Sequence, residues 1–258
     1  MERSELIPLV LRKVASKVLK EKDYQAVYKA EKGFQAASDM LAHETFVTEI
    51  KSRFPDDSIY SEEDTKSHMN ANTSSEFSWI VDPICGTTNY IYNIPFYSHS
   101  LTLLENNNFY AAGVYDPMRD ELFFSSENKF YLNNQLVNLK KEVTIGDALI
   151  SINTNQSNFD DEGTSLQNIM QKLAPPTCRR IHILESANLE LAYVACGRLD
   201  AYFNPTDKPW DIAASKLFIP AAGGAIKIWS NEEQNIFKQK GILAAGSKKL
   251  LNQIVDLW

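Results

Sequence analysis

The stretch Trp79-Ile80-Val81-Asp82-Pro83-Ile84-Cys85-Gly86-Thr87-Thr88-Asn89-Tyr90 decides how this chain is read. Phe77 to Val81, with Ser78 among them, is a short β-prone run and predicts a buried strand. The run then breaks into a carboxylate, a proline, a glycine and two threonines. This predicts a strand that delivers Asp82 to the end of a sheet, followed by a turn whose backbone amides stay open. A carboxylate beside open N–H groups suits a hard cation and an anionic oxygen held together.

Upstream, Leu6, Val10, Leu11, Val14, Val18 and Leu19 recur at helical spacing, which predicts an amphipathic helix over about residues 4–21. Tyr24 to Phe34 reads as a strand or hairpin. Ser38 is the expected N-cap of a second helix carrying Leu41, Val47, Ile50 and Phe54, ended by Pro55. Asn70–Ser75 reads as a surface loop.

Downstream, strands at Ser98–Glu105, Phe109–Tyr115, Glu121–Ser125, Lys129–Leu132 and Gln135–Val137 are separated by short Asn- and Asp-containing turns. They predict an antiparallel meander. The remainder reads as strand Ala148–Asn153, helix Ser186–Cys196, strand Asp200–Phe203, helix Asp211–Ala222, strand Ile242–Ala245 and a terminal helix from Lys248. No repeat or linker divides the chain. The expectation is one domain over residues 1–258, with an N-terminal lobe to about residue 145 and a smaller C-terminal α/β lobe.

Composition narrows the function. With 258 residues, 44% hydrophobic and 23% charged, the chain has ordinary globular proportions. A net charge of −7 supplies no basic excess to neutralise a polyphosphate, which argues against nucleic acid as a partner. Cys85, Cys178 and Cys196 form neither a disulfide framework nor a zinc spacing, so a reducing cytoplasm is expected. Charges at Arg12-Lys13 interrupt the N-terminal apolar residues too soon for a signal peptide. No apolar run approaches the roughly 20 residues of a membrane span.

WIVDPICGTTNY resembles the WxVDPIDGTxNF signature of the inositol monophosphatase family of metal-dependent sugar phosphatases. Ser61-Glu62-Glu63, after Arg53-Phe54-Pro55, resembles that family's Gly-Glu-Glu. Trp210-Asp211-Ile212-Ala213-Ala214, continuing to Ala222-Gly223-Gly224, resembles WDxAA…EAGG, and Ser38-Asp39 resembles the end of TxAD. The matches run in order from about Lys32 to Gly224. The resemblance implies an α/β sugar-phosphatase fold layered α-β-α-β-α, homodimers, and hydrolysis of a phosphate monoester with two or three Mg2+ sites.

Carried over position by position, the resemblance makes Glu62, Asp82 and the Ile84 carbonyl ligands of a first cation, and Asp211 a ligand of a second. It implies that Thr87 orients the attacking water, with Asp39 as acceptor for its hydroxyl and Glu62 assisting as base. Gly86 admits close backbone approach, and the amides of Gly86, Thr87 and Thr88 would hold phosphoryl oxygens. Asn204 falls near a family position that contacts sugar hydroxyls.

Cys85 departs from the pattern, because the family carries a metal-binding aspartate there. A thiol is a soft ligand, poorly matched to magnesium. Three readings stay open: a substitution in an active enzyme, a site with fewer metals or a softer one such as Mn2+ or Zn2+, or a member that has lost most catalysis. A cysteine-nucleophile phosphatase is excluded, since the position six residues on, where an arginine must stand, is Ile91. Inositol 1-phosphate is the default substrate, with fructose 1,6-bisphosphate, histidinol phosphate and NADP as alternatives. The competing function is a weakly active or inactive member with an interaction or regulatory role.

Overall fold

The computed structural model describes residues 2–21, 26–29, 33–64, 75–139, 142–153, 166–228, 239 and 241–257. The expected helix at the start is α1 (Arg3–Glu21), and its buried residues Leu6, Val10, Leu11, Val14 and Val18 form the predicted stripe. A two-stranded antiparallel ribbon, β1 (Ala26–Lys29) and β2 (Gly33–Ala36), follows where a hairpin was expected. It leads into α2 (Ala37–Lys51). Ser38 is therefore inside this helix and is not its N-cap. The hydroxyl of Ser38 lies 2.8 Å from that of Tyr90 instead. The helix also stops at Lys51, short of Pro55, with Phe54 N–H still bonded back to the Ile50 carbonyl.

The first sheet has seven strands: β3 (Ser58–Ser61), β4 (Phe77–Cys85), β5 (Ser98–Glu105), β6 (Asn108–Asp116), β7 (Glu121–Ser126), β8 (Lys129–Leu132) and β9 (Gln135–Leu136), in that spatial order. β3 runs parallel to β4, and every later pairing is antiparallel, which is the predicted meander. One face of the sheet packs α1 and α2 around Phe46, Trp79, Val81, Leu101 and Leu103.

The second sheet has spatial order β11-β10-β12-β14-β13, from β10 (Leu149–Ile152), β11 (Arg180–His182), β12 (Ala201–Asn204), β13 (Ala225–Ile228) and β14 (Ile242–Ala245). Between the two sheets lie α5 (Ala187–Ala195) and α7 (Ser215–Ala222). Their Leu191, Val194, Phe218 and Ile219 bury against Phe123 and Phe130 on one side and Tyr202 and Ala244 on the other. The outer face of the second sheet is covered by α4 (Leu166–Leu173) and α8 (Lys248–Val255), through Ile169, Leu173, Leu250 and Ile254. The layers therefore run α-β-α-β-α, as expected. Residues 70–74 of the expected loop lie outside the described residues.

One correction concerns local structure. The expected helix Asp211–Ala222 is two helices, α6 (Pro209–Ile212) and α7. Ala213 and Ala214 keep right-handed helical angles, but the Ser215 hydroxyl takes the Ile212 carbonyl at 2.7 Å, where the backbone ladder would have run on. Of the meander aromatics, Phe109, Phe124 and Tyr131 are half-buried. Phe123 and Phe130 are fully buried against the middle helices, and Tyr110 is the exposed member. No helix among the described residues is long and apolar enough to cross a membrane.

Candidate active site

The sheet delivers Asp82 as the sequence predicts, with one refinement. Asp82 pairs with Ser100 and Cys85 with Ser98, so three steps along β4 match two along β5. The extra residue is a β-bulge, and Pro83, which has no N–H for the ladder, falls inside it. The parallel neighbour β3 ends one residue before Glu62, whose N–H still reaches the Val81 carbonyl at 3.2 Å. This places Glu62 beside Asp82. Asp211 arrives from the first turn of α6, where one of its oxygens accepts from Lys208 N–H at 2.7 Å. This capping contact and a place in the site thus coexist in one carboxylate.

Ligand atoms of Asp82, Cys85 and Asp211 all lie within 4.8 Å of one another. Such crowding of acids is unfavourable without a compensating charge. Desolvation, then the Asp211 charge, pushes the Asp82 carboxyl well above its ordinary range. Glu62 moves the same way, through desolvation and then Asp82 and Asp211. Asp211 is raised to about 6 by desolvation, and burial followed by the Asp82 charge pushes the Cys85 thiol up. Asp82 Oδ1 is buried with no hydrogen-bond partner among the described residues. An orphaned carboxylate oxygen among like charges fits a divalent cation held by Asp82, Glu62 and the Ile84 carbonyl. A thiol at the second position fits a hard cation poorly.

A short helix, α3 (Thr87–Ile91), starts immediately after the bulge. Gly86 has φ +95, and a Cβ there would stand 3.0 Å from the Glu185 carbonyl oxygen, so glycine is required on both counts. The Thr87 hydroxyl lies 3.3 Å from Asp39 Oδ1 and 3.0 Å from the Ile84 carbonyl, the two acceptors available to its one proton. Asp39 itself is buried near the start of α2. Asn204 is placed differently from the rest. It is fully buried, its amide donates to Asp207, and its oxygen accepts from the Thr206 N–H and hydroxyl.

Sequence reasoning missed Asn188 and Ser186. Asn188 Nδ2 donates to Asp82 Oδ2 at 2.8 Å and to the Trp210 carbonyl at 3.1 Å, and its backbone N–H donates to Cys85 Sγ at 3.3 Å. The Ser186 hydroxyl donates to the Cys85 carbonyl at 2.9 Å. Glu190 accepts from Ser186 N–H and from the Ser151 hydroxyl, so it braces this corner against the second sheet.

The chain matches the model of the inositol monophosphatase family over residues 5–257. This protein belongs to the inositol monophosphatase family. Members of this family are metal-dependent phosphoric monoester hydrolases. Among similar family proteins is a fructose-1,6-bisphosphatase/inositol-1-monophosphatase of Thermotoga maritima, 29% identical over 84% of this chain and 82% of its own length. Another is the Nus factor SuhB of Xylella fastidiosa, 30% identical over 78% of this chain and 70% of its own. The solved Thermotoga maritima IMPase TM1415 superposes with a TM-score of 0.82 at 27% identity, covering 96% of this chain and 93% of that one. In this inositol monophosphatase family member, Asp82, Asp211 and Cys85 converge as the resemblance implied.

Proposed function

We propose that this protein is a magnesium-dependent phosphatase of a small phosphorylated polyol or sugar, with inositol 1-phosphate as the default substrate. The observation that carries this reading is the convergence of Asp82, Cys85 and Asp211 within 4.8 Å, with Glu62 close enough to feel both acids and an Asp82 oxygen that has no hydrogen-bond partner among the described residues. When bound there, a divalent cation polarises the phosphoryl oxygens and makes water a better nucleophile near neutral pH. Asp82, Glu62 and the Ile84 carbonyl would hold it. Thr87 donates its hydroxyl hydrogen bond to Asp39, which leaves its oxygen lone pairs to accept from, and so orient, the attacking water. Glu62 takes up the proton that this water loses. The amides of Gly86, Thr87 and Thr88 bind phosphoryl oxygens. Asn204 is left out of this set, because its donors and acceptors are engaged within its own turn.

A homodimer in a reducing cytoplasm completes the reading, supported by the family resemblance and by three free cysteines. Phosphate release from a panel of inositol 1-phosphate, fructose 1,6-bisphosphate, histidinol phosphate and NADP, with Mg2+, Mn2+ or Zn2+, tests it. Release that requires a divalent cation and is fastest with a polyol or sugar phosphate is expected. No release from any of them with any metal would favour the second reading, a family member kept for an interaction or regulatory role. Cys85 and the likeness to a Nus factor are what favour that alternative.

A further inference from the structure

Cys85 and Asn188 stand beside Asp82 and Asp211 where the second cation would bind, neither is a carboxylate, and they touch each other. Cys85 offers sulfur where a hard ion requires oxygen. Asn188 approaches the same acids with the nitrogen end of its amide. Its orientation is fixed, because both neighbours of Nδ2, Asp82 Oδ2 and the Trp210 carbonyl, are acceptors. Both Nδ2 protons are thus committed, one to the β4 carboxylate and one to the residue preceding Asp211. The backbone N–H of Asn188 points at Cys85 Sγ, so thiol and amide form one hydrogen-bonded unit. Asn188 is 1% exposed, and its place is fixed by the start of α5.

The consequence for Asp82 is asymmetric. Oδ2 is taken by an amide donor, while Oδ1 has no hydrogen-bond partner. A carboxylate bridging two cations offers an oxygen to each. In this chain a neutral N–H has one of those oxygens. An amide proton carries only partial positive charge, and a cation cannot be coordinated through it.

We propose that Cys85 and Asn188 plug the second cation position with a neutral thiol–amide pair, so that the chain binds one divalent cation, through Asp82 Oδ1, Glu62 and the Ile84 carbonyl. This rests on the metal-dependent reading above and specifies it. Asn188 acts here as a positioning residue: it holds Asp82 and blocks a ligand oxygen.

Binding stoichiometry tests the plug without any turnover. Mn2+ binding to the full-length protein is followed by electron paramagnetic resonance and by calorimetry, for the natural sequence and for Cys85→Asp, Asn188→Ala and the double variant. One Mn2+ per chain is expected in the natural protein, with any second ion more than about 100-fold weaker, beyond the roughly 10–100-fold cost of outer-shell changes. The double variant should bind two. Cys85→Asp alone should gain less than the double variant, because the amide still holds Asp82 Oδ2.

Two comparable Mn2+ ions in the natural protein would overturn the plug and leave the phosphatase reading standing. Loss of the first ion in Asn188→Ala would also overturn it, making Asn188 a ligand. No Mn2+ in any folded form would overturn both. The natural protein's stoichiometry needs no variant to fold, and Mn2+ anomalous scattering from its crystals gives an independent count.

Discussion

Asp57 and Asp82 stand at opposite ends of the same parallel strand pair, β3 and β4, and both are almost wholly buried, at 2% and 1% exposure. Their surroundings differ in every other respect. Both oxygens of Asp57 are used: Arg3 grips it with two bonds of 2.9 Å, and Trp79 Nε1 donates at 2.8 Å. The guanidinium itself lies over the Phe77 ring at 3.7 Å and the Phe54 ring at 4.4 Å. Asp82 has one amide donor, one orphaned oxygen and further acids around it. The first arrangement is complete without a ligand and serves stability. The second is incomplete and calls for a positive charge. Burial of an acid is common to both, so burial alone does not mark a site; an unsatisfied carboxylate oxygen among other acids does.

The largest effect expected to sharpen this contrast is at the incomplete end. Thr87→Ala should lower kcat by about 10²–10⁴-fold with little change in KM, since its hydroxyl acts on the attacking water. Asp39→Asn should do the same, and the double variant should lose much less than the product of the two. Steady-state kinetics decides, and a pure KM effect would make Thr87 a phosphate ligand instead.

At the complete end the loss should appear in stability. Asp57→Ala strands the Arg3 guanidinium and the Trp79 N–H, at a cost of about 3 kcal/mol, the low end for a broken buried pair because Arg3 is part-exposed. Denaturant unfolding measures it. Activity per folded molecule should stay near that of the natural protein, and a matching loss of activity would erase the distinction between the two ends.

The third expectation uses pH. Glu62, Asp82 and Asp211 all have folded-state carboxyls raised above their ordinary values, Asp211 to about 6. The folded metal-free protein then binds more protons than the unfolded chain. Its stability should fall as pH rises from about 4 through 6. A divalent cation should reverse this above pH 6, adding about 2.7 kcal/mol at a concentration 100 times its Kd. Thermal unfolding at pH 5 and pH 7.5, with and without Mg2+, reads the effect, and equal stabilisation at both values would contradict it.

The smallest effect lies between the two ends. Ser38→Ala removes a buried hydroxyl pair that ties α2 to α3 and should cost about 1 kcal/mol. A modest fall in kcat beside that loss would show that this tie also steadies Asp39 and Thr87.

Much of the site was legible in sequence. Asp82 announces itself where the β-prone run breaks into Pro83 and Gly86, whereas Glu62 and Asp211 were reached through the family resemblance, since alone they read as an acidic loop and a helix cap. Asn188 was not legible. It looks like an ordinary polar residue in the first turn of an apolar helix, and its partners lie more than 100 residues away in β4. Only the packing of α5 between the sheets brings them together. Asn204 shows the reverse case: its place in the sequence suggested exposure to substrate, but the Asp207 turn consumes it. The fold followed the same division. The meander was visible because each strand ends in a turn signal. β11 and β13 were missed because they are three- and four-residue strands with no fully buried position to mark them.

The bulge in β4 has a consequence best put as parity. Along a regular strand, side chains an odd number of positions apart point to opposite faces. Asp82 and Cys85 are three apart, yet their ligand atoms meet within 4.8 Å. The extra residue at the bulge turns an odd interval into an even one. The two-position motif exists as a pair only because the strand miscounts by one there. A regular strand of the same sequence, without the bulge, would place the two on opposite sides of the sheet and so keep the thiol and the carboxylate from meeting at all.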